Sequence, residues 1–349
     1  MSRPARALPG LTSAIATIAL ILAVPALAQP TKPAASAKKP AAAATKPEAA
    51  KPSVADSPKP AVAANAPEPD LAYGAYQRGY FLTAFDLATK AVEQKGDVKA
   101  MTLLGQLYSE GFGVSRDDAK AAQWFTLAAG RGDREAMFVL AGFRMAGRGG
   151  PVDKAAAAQL YASAAKLGHA GAAYDLGLLY LDGQEFPQDF ARAAELFRTA
   201  ANAGNADAQY ALATFYKEGR GVPKDLKEAA RLLAAAALAN NVDAEVEYAI
   251  ALFNGSGVDK NEAAAVNLFS KAARRGNAIA QNRLARILAA GLGVPAAPVE
   301  ATKWYLIAKA RGESDKWLDE FFANLPSAQR EAGQKAAEPW LKDIKQHRS

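Results

Sequence analysis

Residues 172–183 read Ala-Ala-Tyr-Asp-Leu-Gly-Leu-Leu-Tyr-Leu-Asp-Gly, and residues 191–197 read Ala-Arg-Ala-Ala-Glu-Leu-Phe. Each segment has apolar residues at helical spacing, and a loop containing Gly183 and Pro187 separates the two. One such helix pair is too small to bury its own apolar faces. Because the same pattern recurs every 36 residues in both directions, the sequence predicts an array of stacked helix pairs.

Three kinds of residue keep this register through six successive copies, with no insertion. A small residue lies early in the first helix of each pair, a glycine ends that helix, and a bulky apolar pair lies in the second helix. We therefore predict an all-α array whose repeats pack in chain order. The positions are Ala100, Ala136, Ala172, Ala208, Ala244 and Ala280; Gly111, Gly147, Gly183, Gly219, Gly255 and Gly291; and Trp124-Phe125, Leu160-Tyr161, Leu196-Phe197, Leu232-Leu233, Leu268-Phe269 and Trp304-Tyr305.

Local chemistry predicts where these helices begin and end. The glycine suits a left-handed C-terminal position, and a proline that follows it in four copies prevents the helix from continuing. Two residues after the proline position, Asp or Asn predicts an N-cap for the second helix. A small residue at Gly105 and its equivalents lets that second helix approach closely. The prolines are Pro151, Pro187, Pro223 and Pro295, and the predicted caps are Asp117, Asp153, Asp189, Asp225 and Asn261.

The complete pattern resembles the Sel-one-like repeat (SLR) family, a relative of the tetratricopeptide repeats, over residues 100–312. The resemblance implies a right-handed α-solenoid of antiparallel helix pairs. The copies depart from the family pattern only in loops and caps, at Gly150, Glu185-Phe186, Asn240-Asn241 and Ala297. The first copy carries the matching residues Leu104-Gly105, Tyr108, Gly111-Phe112-Gly113-Val114, Asp117, Lys120-Ala121, Trp124-Phe125, Ala128-Ala129 and Gly132-Asp133.

Elements of the same kind extend beyond the six copies. Residues 70–99 are predicted to form a degenerate opening repeat, because Gly96-Asp97 is in phase with Gly132-Asp133. Residues 100–315 then form the six repeats. Residues 316–349 are predicted to form C-terminal capping helices, with Ser327 as the N-cap of the last one. Such a cap covers the final apolar layer of a solenoid.

The N-terminal segments are predicted to direct export and to act as a spacer. Arg3 and Arg6 precede an apolar run from about residue 14 to residue 24, and Ala26-Leu27-Ala28 follows it. This order is typical of a signal peptide, residues 1–28, cleaved after Ala28 to give a periplasmic protein; retention as a membrane anchor is the alternative. Residues 29–69 are rich in Ala, Pro and Lys, which predicts a disordered linker. Its lysines would also attract a membrane surface or peptidoglycan weakly.

Composition excludes several classes of function. The chain has 349 residues, a formal net charge of +7, no cysteine and only two histidines. Disulfides, thiolate metal sites and a cysteine nucleophile are therefore excluded. The charge divides into +2 before residue 29, +3 in residues 29–69 and +2 in residues 70–349. Because a nucleic-acid-binding face needs concentrated cations, we predict no nucleic-acid binding.

No residue pattern indicates catalysis, a cofactor or a metal. His169 occupies the inter-repeat turn position held elsewhere by Asp133, Asn205, Asn241 and Asn277, which predicts a turn and capping role. The repeated Asp117 and its equivalents lie one repeat apart, too far for paired acid–base chemistry. Trp124 and Trp304 are in phase with Leu and Phe, which predicts core positions.

The remaining candidates lie on the surface of the first helices, which the tetratricopeptide resemblance implies to be concave. We expect three aromatic residues, Phe138, Tyr174 and Tyr210, to run along a groove with few charges and to recognise a peptide or protein. The alternative is that these rings pack on neighbouring helices and fill space, most readily for Phe138. The predicted partner-binding residues are Phe138, Tyr174, Tyr210, Leu178, Thr214, Lys217, Phe253, Asn282 and Arg286.

The leading hypothesis is a non-catalytic periplasmic protein–protein interaction scaffold with a regulatory or adaptor role in the cell envelope. The resemblance implies such a role, since exported SLR proteins include regulators that hold an envelope sensor kinase inactive, notably in exopolysaccharide control. One alternative is a cell-wall-associated enzyme or a peptidoglycan- or β-lactam-binding protein, although such relatives are rich in cysteine. Another alternative is a membrane-anchored spacer whose linker binds the cell wall. The sequence leaves the partner and the oligomeric state open.

Overall fold

The computed structural model describes residues 70–346, and within that range it contains sixteen α-helices and no strand. The predicted signal peptide and linker, residues 1–69, lie outside the described residues. Helices α1 and α2 precede six helix pairs, α3 to α14, and helices α15 and α16 follow them. The helices are α1 Leu71–Gln77, α2 Phe81–Lys95, α3 Val98–Glu110, α4 Asp118–Gly130, α5 Arg134–Ala146, α6 Lys154–Lys166, α7 Ala170–Asp182, α8 Phe190–Asn202, α9 Ala206–Glu218, α10 Leu226–Leu238, α11 Val242–Asn254, α12 Glu262–Arg274, α13 Ala278–Ala290, α14 Pro298–Ala310, α15 Lys316–Ala323 and α16 Ser327–Gln346.

Successive helices pack against each other along the whole array, and the predicted all-α solenoid is confirmed. Large apolar residues of the second helices lie at the centre of the layers, and Phe125, Phe197 and Phe269 among them are buried. The small residue of the facing first helix permits this packing. A Cβ atom added at Gly105 would lie 2.6 Å from the Phe125 ring, and one at Gly177 would lie 2.7 Å from Phe197.

The predicted caps are present at both ends of the helices. The side chains of Asp117, Asp153, Asp189, Asp225 and Asn261 each accept a hydrogen bond from a backbone N–H in the first turn of the second helix. Ala297 provides no such bond to α14. The six glycines that end the first helices all have left-handed backbone conformations.

The second glycine of the repeat loop fixes the distance between neighbouring repeats. Gly257 has a φ of +73°, and a Cβ atom there would lie 1.9 Å from the carbonyl oxygen of Leu226, at the start of the preceding second helix. Gly221 approaches Phe190 in the same way, at 2.2 Å. In the third repeat Glu185 replaces this glycine, and its carboxylate binds Lys154 at the equivalent place, 2.9 Å away. A salt bridge therefore takes the place of a backbone contact.

The departure at Asn240-Asn241 also preserves the turn. Asn240 has a φ of 66°, a left-handed conformation that asparagine tolerates better than most residues. The Arg275 side chain donates a hydrogen bond to the Asn240 carbonyl oxygen at 2.9 Å. Arg131 makes the equivalent bond to Gly96 at 3.0 Å. An arginine at the end of a second helix thus holds the turn of the preceding repeat.

The last two helices cover the end of the array. Leu318, Ala337 and Ile344 are buried in the same cluster as Trp304, and the Trp304 and Trp340 ring centroids are 5.5 Å apart. The prediction of Ser327 as an N-cap is wrong, because α16 already includes Ser327 as its first residue. The carbonyl of Pro326 accepts the hydrogen bonds from Gln329 and Arg330 instead. Among residues 70–346, no helix is both long and apolar enough to cross a membrane.

Candidate binding surface

The first helices of the repeats present a common face. Because a helix advances about 100° per residue, the second, fifth, sixth, ninth, twelfth and thirteenth residues of each first helix point to one side. We call this side, in α5, α7, α9 and α11, the first-helix face. In α9 its residues are Asp207, Tyr210, Ala211, Thr214, Lys217 and Glu218.

Phe138 is held by rings of its own chain. Its ring centroid lies 4.3 Å from that of His169 in a stacked arrangement and 5.9 Å from that of Tyr161. The Phe138 side chain is half-buried and belongs to the apolar cluster of α5, α6 and α7. Its ring therefore acts mainly in packing and in holding His169.

Tyr174 and Tyr210 occupy the same position in neighbouring repeats and are both half-buried. The Tyr174 ring rests on Phe197, with centroids 5.6 Å apart. Burial, together with the negative charges of Asp207 and Asp175, raises the pKa of Tyr174 to about 12. Burial and the charges of nearby carboxylates, Glu247 foremost, raise the pKa of Tyr210 to about 12. Each phenol thus lies on an apolar base with carboxylates beside it.

The expectation of a groove with few charges is wrong. The positions of this face in α7, α9 and α11 carry six acidic residues and one basic residue, Lys217. The second and sixth residues of each helix carry several of these carboxylates, and they flank the tyrosine position on the helical wheel. The predicted binding residues lie at the fifth, ninth and twelfth positions, so the prediction did not include these carboxylates. The carboxylates at these flanking positions are Asp175, Asp207, Asp243 and Glu247.

Two of these carboxylates connect neighbouring repeats. The Asn241 side-chain amide donates to Asp207 at 2.8 Å, and the Asn277 amide donates to Asp243 at 3.3 Å. Each asparagine is also the N-cap of its own first helix. Both aspartates are exposed. Their partners are neutral, so the negative charge of each carboxylate remains at the surface.

Asp175 lies in a less polar environment than the other acidic residues of this face. Its carboxylate accepts a hydrogen bond from the hydroxyl of Tyr161, and it is half-buried. Burial raises the pKa of Asp175 to about 6, while the Tyr161 hydrogen bond acts in the opposite direction. Asp207 is close enough to add to the increase. The negative charge of Asp175 is therefore costly in the isolated chain.

The other predicted residues in α7, α9 and α11 also have contacts within the chain. Leu178 is half-buried in the same cluster as Tyr174 and Tyr210. Thr214 donates to the Tyr210 carbonyl at 3.2 Å. Lys217 forms an ion pair of 2.7 Å with Glu247 of the next first helix, and Phe253 lies under the Lys260 ammonium group, 6.0 Å from the ring centroid.

Asn282 and Arg286 do not belong to the open part of the surface. Asn282 is only 7% exposed and hydrogen-bonds to Asp315, at the start of the closing helix α15. Arg286 donates to the same carboxylate at 2.8 Å and lies 5.5 Å from the Trp317 ring centroid. The closing helix occupies this end of the surface, so these two residues are corrected to a structural role.

The second helices have the opposite charge. Helices α6, α8, α10 and α12 contain eight basic and three acidic residues. In this central part of the array, carboxylates therefore predominate on the first helices α7, α9 and α11, and cations predominate on the second helices. This difference in charge could have been found in the sequence, but only by counting the charges of each helix separately.

The residues considered for catalysis have structural roles. His169 Nδ1 accepts a hydrogen bond from the Ala172 N–H at 3.0 Å, which confirms the predicted N-cap. The Trp304 side chain is buried as predicted, whereas Trp124 is only partly buried. Among the described residues, no group of three or more His, Cys, Asp or Glu side chains is arranged to hold a metal ion.

Comparison with known proteins identifies the repeat. The model of the Sel1 repeat matches six consecutive segments, residues 98–133, 134–169, 170–205, 206–241, 242–277 and 278–313. Among proteins with curated functions, none matches significantly.

Two solved structures are similar to this chain. A protective antigen of uropathogenic Escherichia coli displaying an SLR fold shares 28% identity, with a TM-score of 0.68 over 79% of this chain and 62% of that chain. A Sel1 repeat protein from Oxalobacter formigenes shares 25% identity, with a TM-score of 0.58 over 70% of this chain and 97% of that chain. This chain thus spans less than two thirds of the length of the Escherichia coli antigen.

Proposed function

The chain belongs to the Sel1 repeat family, and on that premise we propose that it is a non-catalytic scaffold that binds a protein partner in the cell envelope. Sel1 repeat proteins are generally protein-interaction scaffolds. The proposal assigns partner binding to the first-helix face and gives the protein a regulatory or adaptor role.

The observation that carries this proposal is the pair of tyrosines at one position of adjacent repeats. Tyr174 and Tyr210 are held from below by the apolar cluster that contains Phe197 and Phe215, while their outer parts stay accessible. A tyrosine held rigidly in this way contributes contact area at a small entropic cost, which makes it a frequent anchor of protein interfaces. Two such anchors in register suit an elongated partner segment.

The envelope location rests on the N-terminal sequence. Arg3, Arg6, the apolar run and Ala26-Leu27-Ala28 have the order of an export signal. We propose cleavage after Ala28 and a periplasmic protein. N-terminal sequencing of the protein from a periplasmic fraction should begin at Gln29; intact residues 1–28 in the membrane fraction would instead indicate an anchor.

The binding role is tested by capture from an envelope extract with the tagged full chain. The Tyr174→Ala/Tyr210→Ala variant should lose most of the bound partner, quantified by mass spectrometry. A matched control is Leu127→Ala/Leu238→Ala, which removes apolar side chains that are 50% and 85% exposed on second helices. Equal capture by both variants and the wild type would remove the first-helix face from the proposal, provided that circular dichroism shows unchanged helicity.

A further inference from the structure

We propose that the first-helix face selects a partner segment that is rich in lysine and arginine and binds in an extended conformation. This inference rests on the proposed function, because it specifies the chemistry of the partner for that same surface. It is carried by the arrangement of charge around Tyr174 and Tyr210.

The first step concerns which carboxylates already have a cation. Glu247 is paired with Lys217 at 2.7 Å. Within residues 70–346, by contrast, Asp175, Asp207 and Asp243 form no ion pair; their hydrogen-bond donors are Tyr161, Asn241 and Asn277. These donors are neutral and orient the carboxylates without offsetting their charge.

The second step concerns the positions of the tyrosines relative to these carboxylates. Asp207 is three residues before Tyr210 and therefore lies on the same side of α9. The negative charges of Asp207 and Asp175 both act on the Tyr174 hydroxyl, and Asp175 is the next residue in the chain. An ammonium or guanidinium group on the tyrosine face would gain a cation–π contact and a carboxylate partner together.

The third step concerns the spacing of the sites. First helices of neighbouring repeats meet through long side chains, as Lys217 of α9 does with Glu247 of α11, so their axes lie on the order of 10 Å apart. An extended peptide advances about 3.3 Å per residue, so about three residues span neighbouring repeats. A segment with a cation at about every third residue would meet Asp207 and Asp243, which occupy the same position in successive repeats, in turn.

The fourth step concerns selectivity. The cations of the second helices attract acidic molecules to the opposite face, so the two faces favour partners of opposite charge. The second-helix face of another copy of this chain is the competing occupant of the first-helix face. It differs from a peptide partner in one respect, because it would produce concentration-dependent self-association.

The test selects phage-displayed random dodecapeptides on the immobilised full chain. Basic peptides should be enriched over the starting library. By fluorescence anisotropy, the Asp175→Asn/Asp207→Asn/Asp243→Asn variant should bind an enriched peptide at least about tenfold more weakly. Affinity should also fall between 50 and 500 mM NaCl, as expected for charge pairing. The matched control is Glu93→Gln/Glu320→Gln/Glu331→Gln, which removes the same number of charges at exposed positions outside this face and should bind like the wild type.

The outcomes separate this inference from the proposed function. In one outcome, the enriched peptides carry no excess of basic residues and yet lose binding to the Tyr174→Ala/Tyr210→Ala variant. That result would support the first-helix face as the binding surface and overturn the proposal of a basic partner. If peptides bind all variants equally, or none is enriched, both proposals are overturned. If analytical ultracentrifugation shows self-association that the triple Asp→Asn variant abolishes, the occupant is a second copy and the peptide proposal is overturned.

Discussion

The imidazole ring of His169 is stacked on the phenyl ring of Phe138, with 4.3 Å between the ring centroids. His169 Nδ1 accepts the Ala172 N–H at 3.0 Å, so the ring proton of the neutral tautomer lies on Nε2 and is donated to Glu135 at 3.1 Å. One side chain thus caps α7, binds a carboxylate of the preceding repeat and covers Phe138. The only histidine of the repeats is an inter-repeat connection.

This role predicts different effects for two substitutions of His169. Asn205 and Asn241 cap their helices at the equivalent position, so His169→Asn should retain the cap and lose only the ring contact. His169→Ala should lose both and destabilise the protein by about 1–2 kcal/mol. Thermal unfolding followed by circular dichroism should rank the wild type above His169→Asn and His169→Ala last. An equal melting temperature for the two variants would contradict the capping role.

Asp175 predicts a pH dependence of stability. Its pKa is about 6 in the folded protein and about 3.9 in an unfolded chain. Between these values the folded state binds more protons at this site, so the contribution of Asp175 to the free energy of unfolding should fall as the pH rises from 4 to 6 and stay lower above that range. The groups that face Asp175 are Tyr161, His169 and Asp207.

Asp175→Asn isolates this effect, because asparagine can still accept the Tyr161 hydrogen bond without carrying a charge. At pH 8 the variant should be more stable than the wild type by on the order of 1–3 kcal/mol, and at pH 4 the two should converge. Denaturant unfolding at both pH values measures this difference. Glu93→Gln at an exposed site is the control, and a similar gain in that control would remove Asp175 as the cause.

Substitution of two turn glycines by alanine should distinguish the cost of a steric clash from the cost of backbone strain. Gly204 has a φ of +86° with no atom within 4 Å of an added Cβ, whereas Gly257 has a φ of +73° and an added Cβ would lie 1.9 Å from the Leu226 oxygen. Gly204→Ala should cost about 1–2 kcal/mol through strain alone. Gly257→Ala should cost distinctly more, because α10 must also move. Their melting temperatures provide the comparison, and equal losses would show that strain alone determines both.

The contacts of Glu245 predict that the protein tolerates its substitution by glutamine but not by alanine. Glu245 is fully buried, and one carboxylate oxygen binds Lys271 at 2.6 Å and Arg275 at 2.9 Å, while the other has no hydrogen-bond partner. The equivalent residues of the neighbouring repeats, Gln209 and Gln281, donate to a carbonyl at the end of the preceding second helix.

Glu245→Gln can make that same bond to the Ala237 carbonyl, so it should change stability by less than about 1 kcal/mol. Glu245→Ala leaves a cavity and releases both cations, and should destabilise by about 2–4 kcal/mol. Denaturant unfolding of both variants tests the comparison. A larger loss for Glu245→Gln than for Glu245→Ala would contradict the equivalence of these three positions.

The sequence by itself determined the repeat length, the helical pairing, the caps and the turn glycines. These features arise from contacts between residues close in the chain, and each copy shows the same residue type at the same position. Asp117 and its equivalents, Gly111 and its equivalents, and even the exception at Ala297 were therefore predicted correctly. The capping role of His169 followed from the same comparison among copies.

Only the tertiary structure decided which side chains of different repeats meet. Asp207 and Asn241 are 34 residues apart in the chain, and stacking brings them into contact. The closing helix covers Asn282 and Arg286, and His169 covers Phe138, so contacts between elements of the chain cover these three predicted binding residues. The repeat register identifies the residues that all copies share. The binding surface, however, consists of residues that differ between copies, and the neighbours of those residues depend on how the helices stack.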